Sequence, residues 1–452
     1  MKFTYSYITL LISSLIMLLL SCNKLVDDVS VELTYKKNFK AVVKFSTPSA
    51  KSAKVVYWQE GNEIKDTTSL SPISLQHEVN LYGLVPNSTY SYQLLLVEEE
   101  GISPSKTYSF KVDSLPPYIP TFKVVKKDGQ GPKGYILLRH MLNPGTQLIV
   151  NSSGKVIWYQ VSDSTIFRPF SISGKNAYIA LKTDKYIVEV TFEGDTITNL
   201  KFGTNDFTRS LHHDILRDDK NSILALTKEY KVFNLANYGG TKQDSVAGDG
   251  IVLLDNKGHQ LWHWSIFDQE VIASQQLYKS RRDWSHANGL CRDTDGNFLV
   301  SFRNFNQIWK INKDDGHIVW KLGVDGDFKL SPNELFSGQH AVHINPQGNI
   351  MIFDNSMNPA IKSRKGKRSR ALAFRIDEEN MVATKTLDVR LPSDLYSFKQ
   401  GSVYFIDHDK LLFCSSMTKK IVIADLKGNI LWQLNSPQSF YRAVYLKKLP
   451  WK

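Results

Sequence analysis

The chain contains little cysteine: only Cys22, Cys291 and Cys414 occur among its 452 residues. The last two lie in apolar, strand-like stretches. A protein of this size with two thiols beyond residue 22 is not a disulfide scaffold. Its stability must therefore come from a large apolar core, and the chain is long enough to build one in two domains.

The sequence also lacks a convincing long amphipathic helix. Short runs rich in Val, Ile, Tyr and Phe are separated by Gly, Asn, Asp and Pro. Runs of this kind are typical of β-strands joined by turns. The sequence therefore predicts an all-β protein.

The N-terminus has the pattern of an export signal. Lys2 supplies a positive charge, and the apolar run Tyr7–Leu20 follows it. The run is short for a membrane span, which needs about 20 apolar residues, and its flanks do not suit a permanent anchor. Residues 19–22 read Leu-Leu-Ser-Cys, the pattern of a lipobox. We therefore expect Met1–Cys22 to be a lipoprotein signal peptide and Cys22 to carry palmitate or related acyl chains.

More than one acyl chain would hold the protein stably on a membrane. Asn23 is not the aspartate associated with inner-membrane retention, which favours the outer membrane, at its periplasmic or surface face. The net charge is +12, with a local concentration at Lys362–Arg370. In an exported protein this charge favours anionic small molecules, polysaccharide or lipid headgroups over nucleic acid. The oligomeric state stays open, a homodimer included.

The region before the prolines Pro116 and Pro117 has its own character. Leu81–Leu94 follows the pattern L-x-x-L-x-P-x-x-x-Y-x-Y-x-L. This resembles the corner between strands E and F of fibronectin type III domains, where the tyrosine hydroxyl bonds back to the backbone. Tyr90 is therefore interpreted as structural. We predict a fibronectin-III/Ig-like β-sandwich over residues 23–116.

Residues 122–452 contain internal repeats. Two degenerate copies of a Gly-containing turn followed by an apolar strand lie at Thr191–Leu200 and Asp377–Leu387. Copies recur every 40 to 65 residues or so, roughly the length of a four-stranded propeller blade with its loops. Six copies predict a six-bladed β-propeller, in which the tryptophans pack between blades. The four clear copies are Asn151–Gln160, Asp255–Trp264, Lys313–Leu322 and Asp425–Leu434.

A second repeat carries histidines. Three turns of the type Asn/Gly-Asn or Asn-Ser, each before an apolar strand, are preceded eight to ten residues earlier by His213, His286 and His340. Arg303 follows the middle turn. Equivalent strand ends of successive blades converge on the central channel of a propeller. These four side chains are therefore predicted to meet at one mouth of the channel.

Two kinds of chemistry suit this set of residues. Three histidines could hold zinc with an open fourth position. Alternatively, one imidazole could act as a nucleophile toward a polyanionic group while the others and Arg303 neutralise its oxygens. A guanidinium beside a dication costs Coulomb energy. Arg303 therefore favours an anion such as sulfate or phosphate, with no metal and no cofactor.

At these residues the sequence resembles the bacterial arylsulfate sulfotransferases that do not use the nucleotide donor PAPS. That family is built on a six-bladed propeller preceded by a β-sandwich domain, which agrees with the expected architecture. Several separate motifs carry the resemblance, and they occur in the family's order. They are HHDI (residues 212–215), DWSHANGL (283–290), SFR (301–303), GQHAVH (338–343) with GNIMIFDN (348–355), SRALAFRID (369–377) and YRAVYL (441–446).

The resemblance implies a ping-pong reaction without a cofactor. An aryl sulfate would give its sulfuryl group to a histidine and release a phenol, and the sulfohistidine would then pass the group to a phenolic acceptor. By position, His340 would be the nucleophile. His213, His286 and Arg303 would hold the sulfuryl oxygens or act as acid and base.

Three further residues are implicated by position. Asn288 follows His286 by two residues and is a further donor, and Gln339 adjoins the nucleophile. His212 and His213 are adjacent, so only one can face the channel. His213 is favoured because it precedes Asp214 as in the family. We list Asn288, Gln339 and His212 as substrate-binding residues.

Other sulfate chemistries fit less well. The sequences after Cys291 and Cys414 do not match the C-x-P-x-R of formylglycine sulfatases, and Gly129–Gly134 contains Pro132 in a β context, unlike a phosphate-binding loop. Asn304 begins a stretch that departs from the family's His-Gln, which leaves the acceptor open. The alternatives that remain are a non-catalytic propeller that binds sulfated or carboxylated glycans, and a zinc hydrolase.

Overall fold

The computed structural model describes residues 25–99, 101–127, 131–140, 145–161, 170–174, 176–218, 221–357 and 366–451. The expected signal peptide Met1–Cys22 and its acylation site lie outside these residues. Within the part described, no helix is long and apolar enough to cross a membrane. Helical structure in that part consists of α1 (Gln275–Ser280) and the 3₁₀ turns Ala236–Tyr238, Ile266–Asp268, Ser393–Leu395 and Ser416–Thr418.

The chain divides into two compact units. The first extends to Ser114 without Lys36–Phe39, and the second comprises Lys36–Phe39 and Leu115–Lys452. Both units are built from antiparallel strands, in agreement with the all-β prediction.

The first unit contains seven strands, and its long strand β2 pairs with two different groups of strands. The first half of β2 pairs with β1 and β4, and its second half pairs with β3 and β5. β5 also pairs with β6 and β7. The strands are β1 (Asp27–Thr34), β2 (Lys40–Gln59), β3 (Asp66–Thr67), β4 (Ser74–Leu81), β5 (Ser88–Glu98), β6 (Gly101–Pro104) and β7 (Tyr108–Val112).

Alternate residues of β5 form the core of this unit. Tyr90, Tyr92, Leu94 and Leu96 are buried, because successive side chains of a strand point to opposite faces. The Tyr90 hydroxyl oxygen accepts a hydrogen bond from the Val85 backbone N–H at 3.0 Å, as the sequence pattern predicted. The membership of this unit in the fibronectin III/Ig fold stays a prediction.

The second unit is a six-bladed β-propeller. Its first three blades are four-stranded antiparallel sheets. The first contains β9 (Tyr135–His140), β10 (Thr146–Val150), β11 (Val156–Val161) and β32 (Phe440–Leu446). The second contains β12 (Phe170–Ser173), β13 (Ala177–Thr183), β14 (Tyr186–Thr191) and β15 (Thr196–Lys201), and the third contains β16 (Leu211–Arg217), β17 (Ser222–Phe233), β18 (Asp244–Asp255) and β19 (Gln260–Ser265).

The remaining blades follow the same order. The fourth contains β20 (Ala287–Arg292), β21 (Phe298–Phe302), β22 (Gln307–Ile311) and β23 (Ile318–Gly323). The fifth contains β24 (His340–Ile344), β25 (Ile350–Asp354), β26 (Arg370–Asp377) and β27 (Val382–Arg390). The sixth contains β28 (Ser402–Asp407), β29 (Lys410–Ser415), β30 (Lys420–Asp425) and β31 (Ile430–Asn435), with β8 (Lys123–Lys127) added at its outer edge.

The ring closes through strands from both ends of this unit. β32, late in the chain, supplies the innermost strand of the first blade, and β8 pairs with β31 of the sixth blade. Inside the ring, Arg442 of β32 makes a two-pronged ion pair with Asp214 of β16, at 2.8 and 2.9 Å. Two distant parts of the sequence are therefore joined within the channel.

The tryptophans of the repeats link successive blades, which confirms their predicted packing role. The indole N–H of Trp264 donates to the Gly316 carbonyl oxygen at 2.9 Å, and that of Trp432 donates to the Ser152 carbonyl oxygen at 3.1 Å. Trp158, Trp320 and Trp432 occupy the same position of the repeat, Trp264 lies two residues beyond it, and each partner lies in a turn of the next blade. Trp158 and Trp320 make the corresponding contacts to Phe192 and Glu378.

Candidate active site

The inner strands of the third, fourth and fifth blades contact one another, β16 with β20 and β20 with β24. Each contains a β-bulge near its start. At or beside these bulges His213, His286 and Ala341 have φ of 50°, 51° and 55°. A positive φ is uncommon for residues other than glycine and costs about 1–3 kcal/mol. This concentration of strained backbone on neighbouring strands is typical of a functional site.

The strand registers show how each histidine reaches the site. His213 and His340 each lie eight residues before the residue that starts the hairpin turn, the place held by Asn288 in β20, and His286 lies two residues earlier. In the strand pairing, however, His340 corresponds to His212, and His213 lies in the bulge that follows His212. Equal spacing along the chain therefore gives His213 and His340 different places in their ladders, and His286 precedes its strand. The rings of His213 and His286 are nevertheless in contact, with centroids 4.9 Å apart.

His340 is buried, and its hydrogen bonds define its tautomer. Nδ1 lies 2.9 Å from the Gly338 carbonyl oxygen and 2.8 Å from Oδ1 of Asn355. Because a carbonyl oxygen can only accept, Nδ1 carries a proton. Nε2 accepts the backbone N–H of Gln400 at 3.2 Å. His340 is therefore a neutral imidazole with a lone pair on Nε2.

The surroundings of His340 keep it neutral. Burial lowers its pKa to about 3, the hydrogen bond with Asn355 opposes this change, and the positive charge of Arg303 adds to it. Asn355 is itself fixed, because its amide nitrogen donates to the carbonyl oxygens of Ser397 and Gln400 at 2.7 and 2.8 Å. A neutral, oriented imidazole is a competent nucleophile at neutral pH.

His212 and His213 lie side by side. Nδ1 of His212 is 2.9 Å from Nδ1 of His213, and Nε2 of His212 is 3.1 Å from the carboxylate of Asp249. Burial lowers the pKa of His213 well below its usual value, and the neighbouring rings of His212 and His286 lower it further. His213 therefore contacts His286, and His212 stands behind it toward Asp249.

His286 also has a carboxylate partner. Its Nδ1 lies 2.5 Å from Oδ2 of Asp283. Burial alone would raise the pKa of Asp283, but the hydrogen bond from His286 and the charge of Lys228 lower it below its usual range. Lys228 bridges the two supporting carboxylates, since its Nζ lies 3.1 Å from Asp249 and 3.2 Å from Asp283.

Arg303 has no carboxylate within ion-pair distance in the described part of the chain. Its guanidinium donates to Oδ1 of Asn304 at 3.2 Å and to the sulfur of Met357 at 3.4 Å. Burial lowers its pKa, although a guanidinium stays charged at neutral pH. A partly buried cation without a counter-ion attracts an anion to this position.

Asn288 and Gln339 lie at the predicted place, but their side chains bond within the protein. The amide nitrogen of Asn288 donates to the Gln339 carbonyl oxygen at 2.8 Å, and its Oδ1 accepts from Ser301 at 2.9 Å. The Gln339 amide nitrogen donates to Ser301 and to the carbonyl oxygens of Phe302 and Gln307. Both residues are fully buried, and in this arrangement they tie β20 to β24.

Sequence reasoning missed Asp249, Asp283, Asn355 and Tyr441. Asp283 could have been found from the sequence, because it lies three residues before His286 within the motif DWSHANGL. Tyr441 lies on β32 with its ring centroid 6.1 Å from that of His340. Among the described residues its buried hydroxyl has no hydrogen-bond partner, and burial raises its pKa to about 12.

The geometry does not favour the zinc alternative. In the part of the chain described, the group whose ligand atoms converge is Asp293, Asp295 and Glu378, away from the histidines. The Nζ of Lys310 lies 2.5 to 2.8 Å from these three carboxylates and already occupies the point at which they converge. The histidine pocket instead combines a neutral imidazole with an uncompensated guanidinium, which suits an anion.

The match to a protein family agrees with this chemistry. Residues 121–421 match the family model described as arylsulfotransferase (ASST). No curated protein matches the chain. A solved protein of unknown function from Bacteroides caccae is 12% identical, with 69% of this chain and 99% of that one covered and a TM-score of 0.43. Virginiamycin B lyase from Staphylococcus aureus is 11% identical, with 70% and 99% covered and a TM-score of 0.35.

Proposed function

Because the chain belongs to the arylsulfotransferase family, we propose that it transfers a sulfuryl group from an aryl sulfate to a phenol, with His340 as the covalent carrier. The observation that carries the proposal is the state of His340. Its Nδ1 proton is held by two carbonyl oxygens, and its Nε2 presents a lone pair. Among the described residues, His340 is the imidazole of the site whose hydrogen bonds assign a proton to one ring nitrogen and a lone pair to the other.

In the first half-reaction, Nε2 of His340 gives up its hydrogen bond from the Gln400 N–H and attacks the sulfur with the lone pair so released, and the bond between sulfur and the aryl oxygen breaks. The departing oxygen takes up a proton and leaves as a phenol. The sulfated ring becomes positively charged, and the carbonyl oxygens of Gly338 and Asn355 stabilise that charge through the Nδ1 proton. Arg303, His213 and His286 surround the sulfuryl oxygens or serve the leaving oxygen.

In the second half-reaction, the hydroxyl of an acceptor phenol loses its proton and attacks the same sulfur. The bond between Nε2 and sulfur breaks, and the lone pair returns to Nε2. The product is a new aryl sulfate, and His340 is restored. The aryl sulfate supplies the activated group, so no nucleotide donor takes part.

The experiment uses the chain without Met1–Cys22, incubated with 4-nitrophenyl sulfate with and without phenol. We expect nitrophenol release that depends on phenol, and a mass increase of one sulfuryl group on the protein when phenol is left out. His340→Ala should lose both. His317→Ala is the matched control, since His317 is exposed in a turn and pairs with Asp315. Binding of sulfated glycans without turnover would instead support the non-catalytic alternative.

We also propose that the first unit is a fibronectin-III-like sandwich. The corner hydrogen bond from Val85 to Tyr90 supports this assignment, as do the pairings of β2 with β1 and β4 on one side and with β3 and β5 on the other. An experimental structure of residues 23–116 would test the assignment by its strand order.

The location is a proposal that rests on the N-terminal sequence. Acylation of Cys22 would anchor the enzyme to the envelope, and the outer membrane is our preferred site. Labelled palmitate should be incorporated into the wild-type chain and not into Cys22→Ser. Incorporation that persists in the variant would contradict the proposal.

A further inference from the structure

The hydrogen bonds of His212 leave one proton to be shared with His213. Nε2 of His212 lies 2.9 Å from the Thr227 carbonyl oxygen and 3.1 Å from Asp249. Both partners are acceptors, so Nε2 carries a proton. The two Nδ1 atoms are 2.9 Å apart, a hydrogen-bond distance that requires one proton between them.

The position of that proton sets the state of His213. When His213 holds it, both rings are neutral, and Nε2 of His213 has a lone pair and can act as a base. When His212 holds it, His212 is an imidazolium, and a neutral His213 can carry its proton on Nε2 and act as an acid. The pair thus changes between base and acid by gaining or losing one proton at Nε2 of His213.

We propose that Asp249, His212 and His213 form a proton relay in which His213 protonates the departing phenol in the first half-reaction and deprotonates the acceptor phenol in the second. The inference rests on the proposed function and assigns the acid–base role that the site otherwise leaves between His213 and His286. His212 and Asp249 are positioning residues, because they act through His213.

The surroundings of Asp249 keep its carboxylate in place, so it can stabilise a positive charge on His212. It is fully buried and accepts hydrogen bonds from Ser285 Oγ at 2.5 Å and from the Ala287 backbone N–H at 2.7 Å. The Nζ of Lys228 and Nε2 of His212 each lie 3.1 Å from its Oδ1. A proton moved to His212 therefore lies beside a fixed carboxylate, whereas a proton left on His213 would lie among the rings of His212, His286 and His340.

The proton count closes over one cycle. The first half-reaction begins with the proton-loaded pair: Nε2 of His213 gives its proton to the phenol oxygen, and the shared proton moves from His212 to His213. The second half-reaction begins with the unloaded pair: Nε2 of His213 takes the proton of the acceptor hydroxyl, and the shared proton returns to His212. No other proton donor is required.

The test compares aryl sulfates with different leaving groups. Proton donation matters most for a poor leaving group such as unsubstituted phenol, whose pKa is about 10 like that of tyrosine, and little for the acidic 4-nitrophenol. In His212→Gln, which keeps a donor toward Asp249 and Thr227, we expect kcat/KM to fall about 10²-fold with phenyl sulfate and only a few-fold with 4-nitrophenyl sulfate. Asp249→Asn should show the same difference.

The matched control is His263→Gln. His263 lies on β19 of the same blade, and its Nε2 pairs with Glu229 at 3.0 Å, so neither substrate should lose more than twofold. An equal loss with both sulfates in His212→Gln would overturn the relay while the sulfotransferase proposal survives. Absence of sulfuryl transfer in the wild type would overturn the proposed function itself.

A second measurement does not depend on activity or on the stability of the variants. In the wild-type protein, spectra of ¹⁵N-labelled histidine should show one low-field proton coupled to two Nδ1 nitrogens and an Nε2–H on His212. Both signals should be unchanged in His263→Gln. Two separate histidines without a shared proton would overturn the relay.

Discussion

The fifth blade and the pair formed by the third and fourth blades support their histidines in opposite ways. On β24, Nδ1 of His340 and of His343 bonds to a backbone carbonyl oxygen, of Gly338 and Ala341 respectively, each at 2.9 Å. In the third and fourth blades, His212 and His286 contact carboxylates instead. The histidines of the fifth blade therefore have neutral hydrogen-bond partners, whereas those of the third and fourth blades have charged ones.

The difference teaches how one pocket can hold both a nucleophile and a proton carrier. Burial with carbonyl partners lowers the pKa of His340 to about 3 and that of His343 to about 4, so these rings keep a lone pair at neutral pH. A carboxylate partner stabilises the protonated ring instead. The residue behind each imidazole therefore decides what the imidazole can do.

The largest effect is expected from removing the neutral support of the nucleophile. Asn355→Ala removes one acceptor of the His340 Nδ1 proton. It also removes the amide nitrogen that donates to the carbonyl oxygens of Ser397 and Gln400. The Gly338 carbonyl oxygen then holds the Nδ1 proton alone, so the tautomer and the orientation of the ring are less firmly fixed, and kcat should fall about 10³-fold. Steady-state kinetics with 4-nitrophenyl sulfate measures the loss. Ser356→Ala is the neighbouring control, and an unchanged kcat in Asn355→Ala would contradict the assigned role of His340.

A smaller effect is expected from neutralising a charged support. Asp283→Asn leaves His286 with an amide in place of its carboxylate, so Nδ1 of His286 loses a charged hydrogen-bond partner. We expect kcat/KM to fall about 10- to 10²-fold. Asp315→Asn, which alters the exposed pair with His317, should leave kcat/KM unchanged. A loss of less than twofold in Asp283→Asn would show that the charge of Asp283 is not what matters.

The smallest effect concerns stability. Histidine in the unfolded chain binds a proton below pH 6.5 or so, whereas folded His343 binds one only near pH 4. The stabilising contribution is thus fully present above about pH 6.5 and is lost as pH falls toward 4. Between pH 6.5 and 5 the cost is about 2 kcal/mol per buried histidine. In His343→Gln, chemical denaturation should lose less stability over this range than the wild type, whereas His317→Gln should match the wild type.

The propeller could be predicted because its signal repeats. Each blade must bury the same faces against its neighbours, so the turn and the tryptophan recur at a regular distance, and Trp158 and Trp432 indeed make equivalent contacts. The prediction that His213, His286 and His340 lie together came from the same regularity. The closure by β8 and β32 did not, since these strands pair across nearly the whole length of the unit.

The supporting residues could not be predicted for a physical reason. Asp249 lies on the third strand of its blade and reaches Ser285, 36 residues later, without any periodic spacing. The bulges are also invisible in the sequence: β16 has two extra residues between His212 and Ile215, whereas β20 has one between Ala287 and Gly289. Such offsets shift a side chain along its strand, so equal spacing in the sequence does not give equal positions in the sheet.

The ion pair between Asp214 and Arg442 has a consequence for how the protein is made. The two residues are 228 positions apart, so Asp214 can find its partner only when nearly the whole chain is available. Until then, the blades that have already formed lack the strand that closes their ring. The enzyme becomes complete only with the last strand of the ring, and a chain cut short before Phe440 is released without a closed channel.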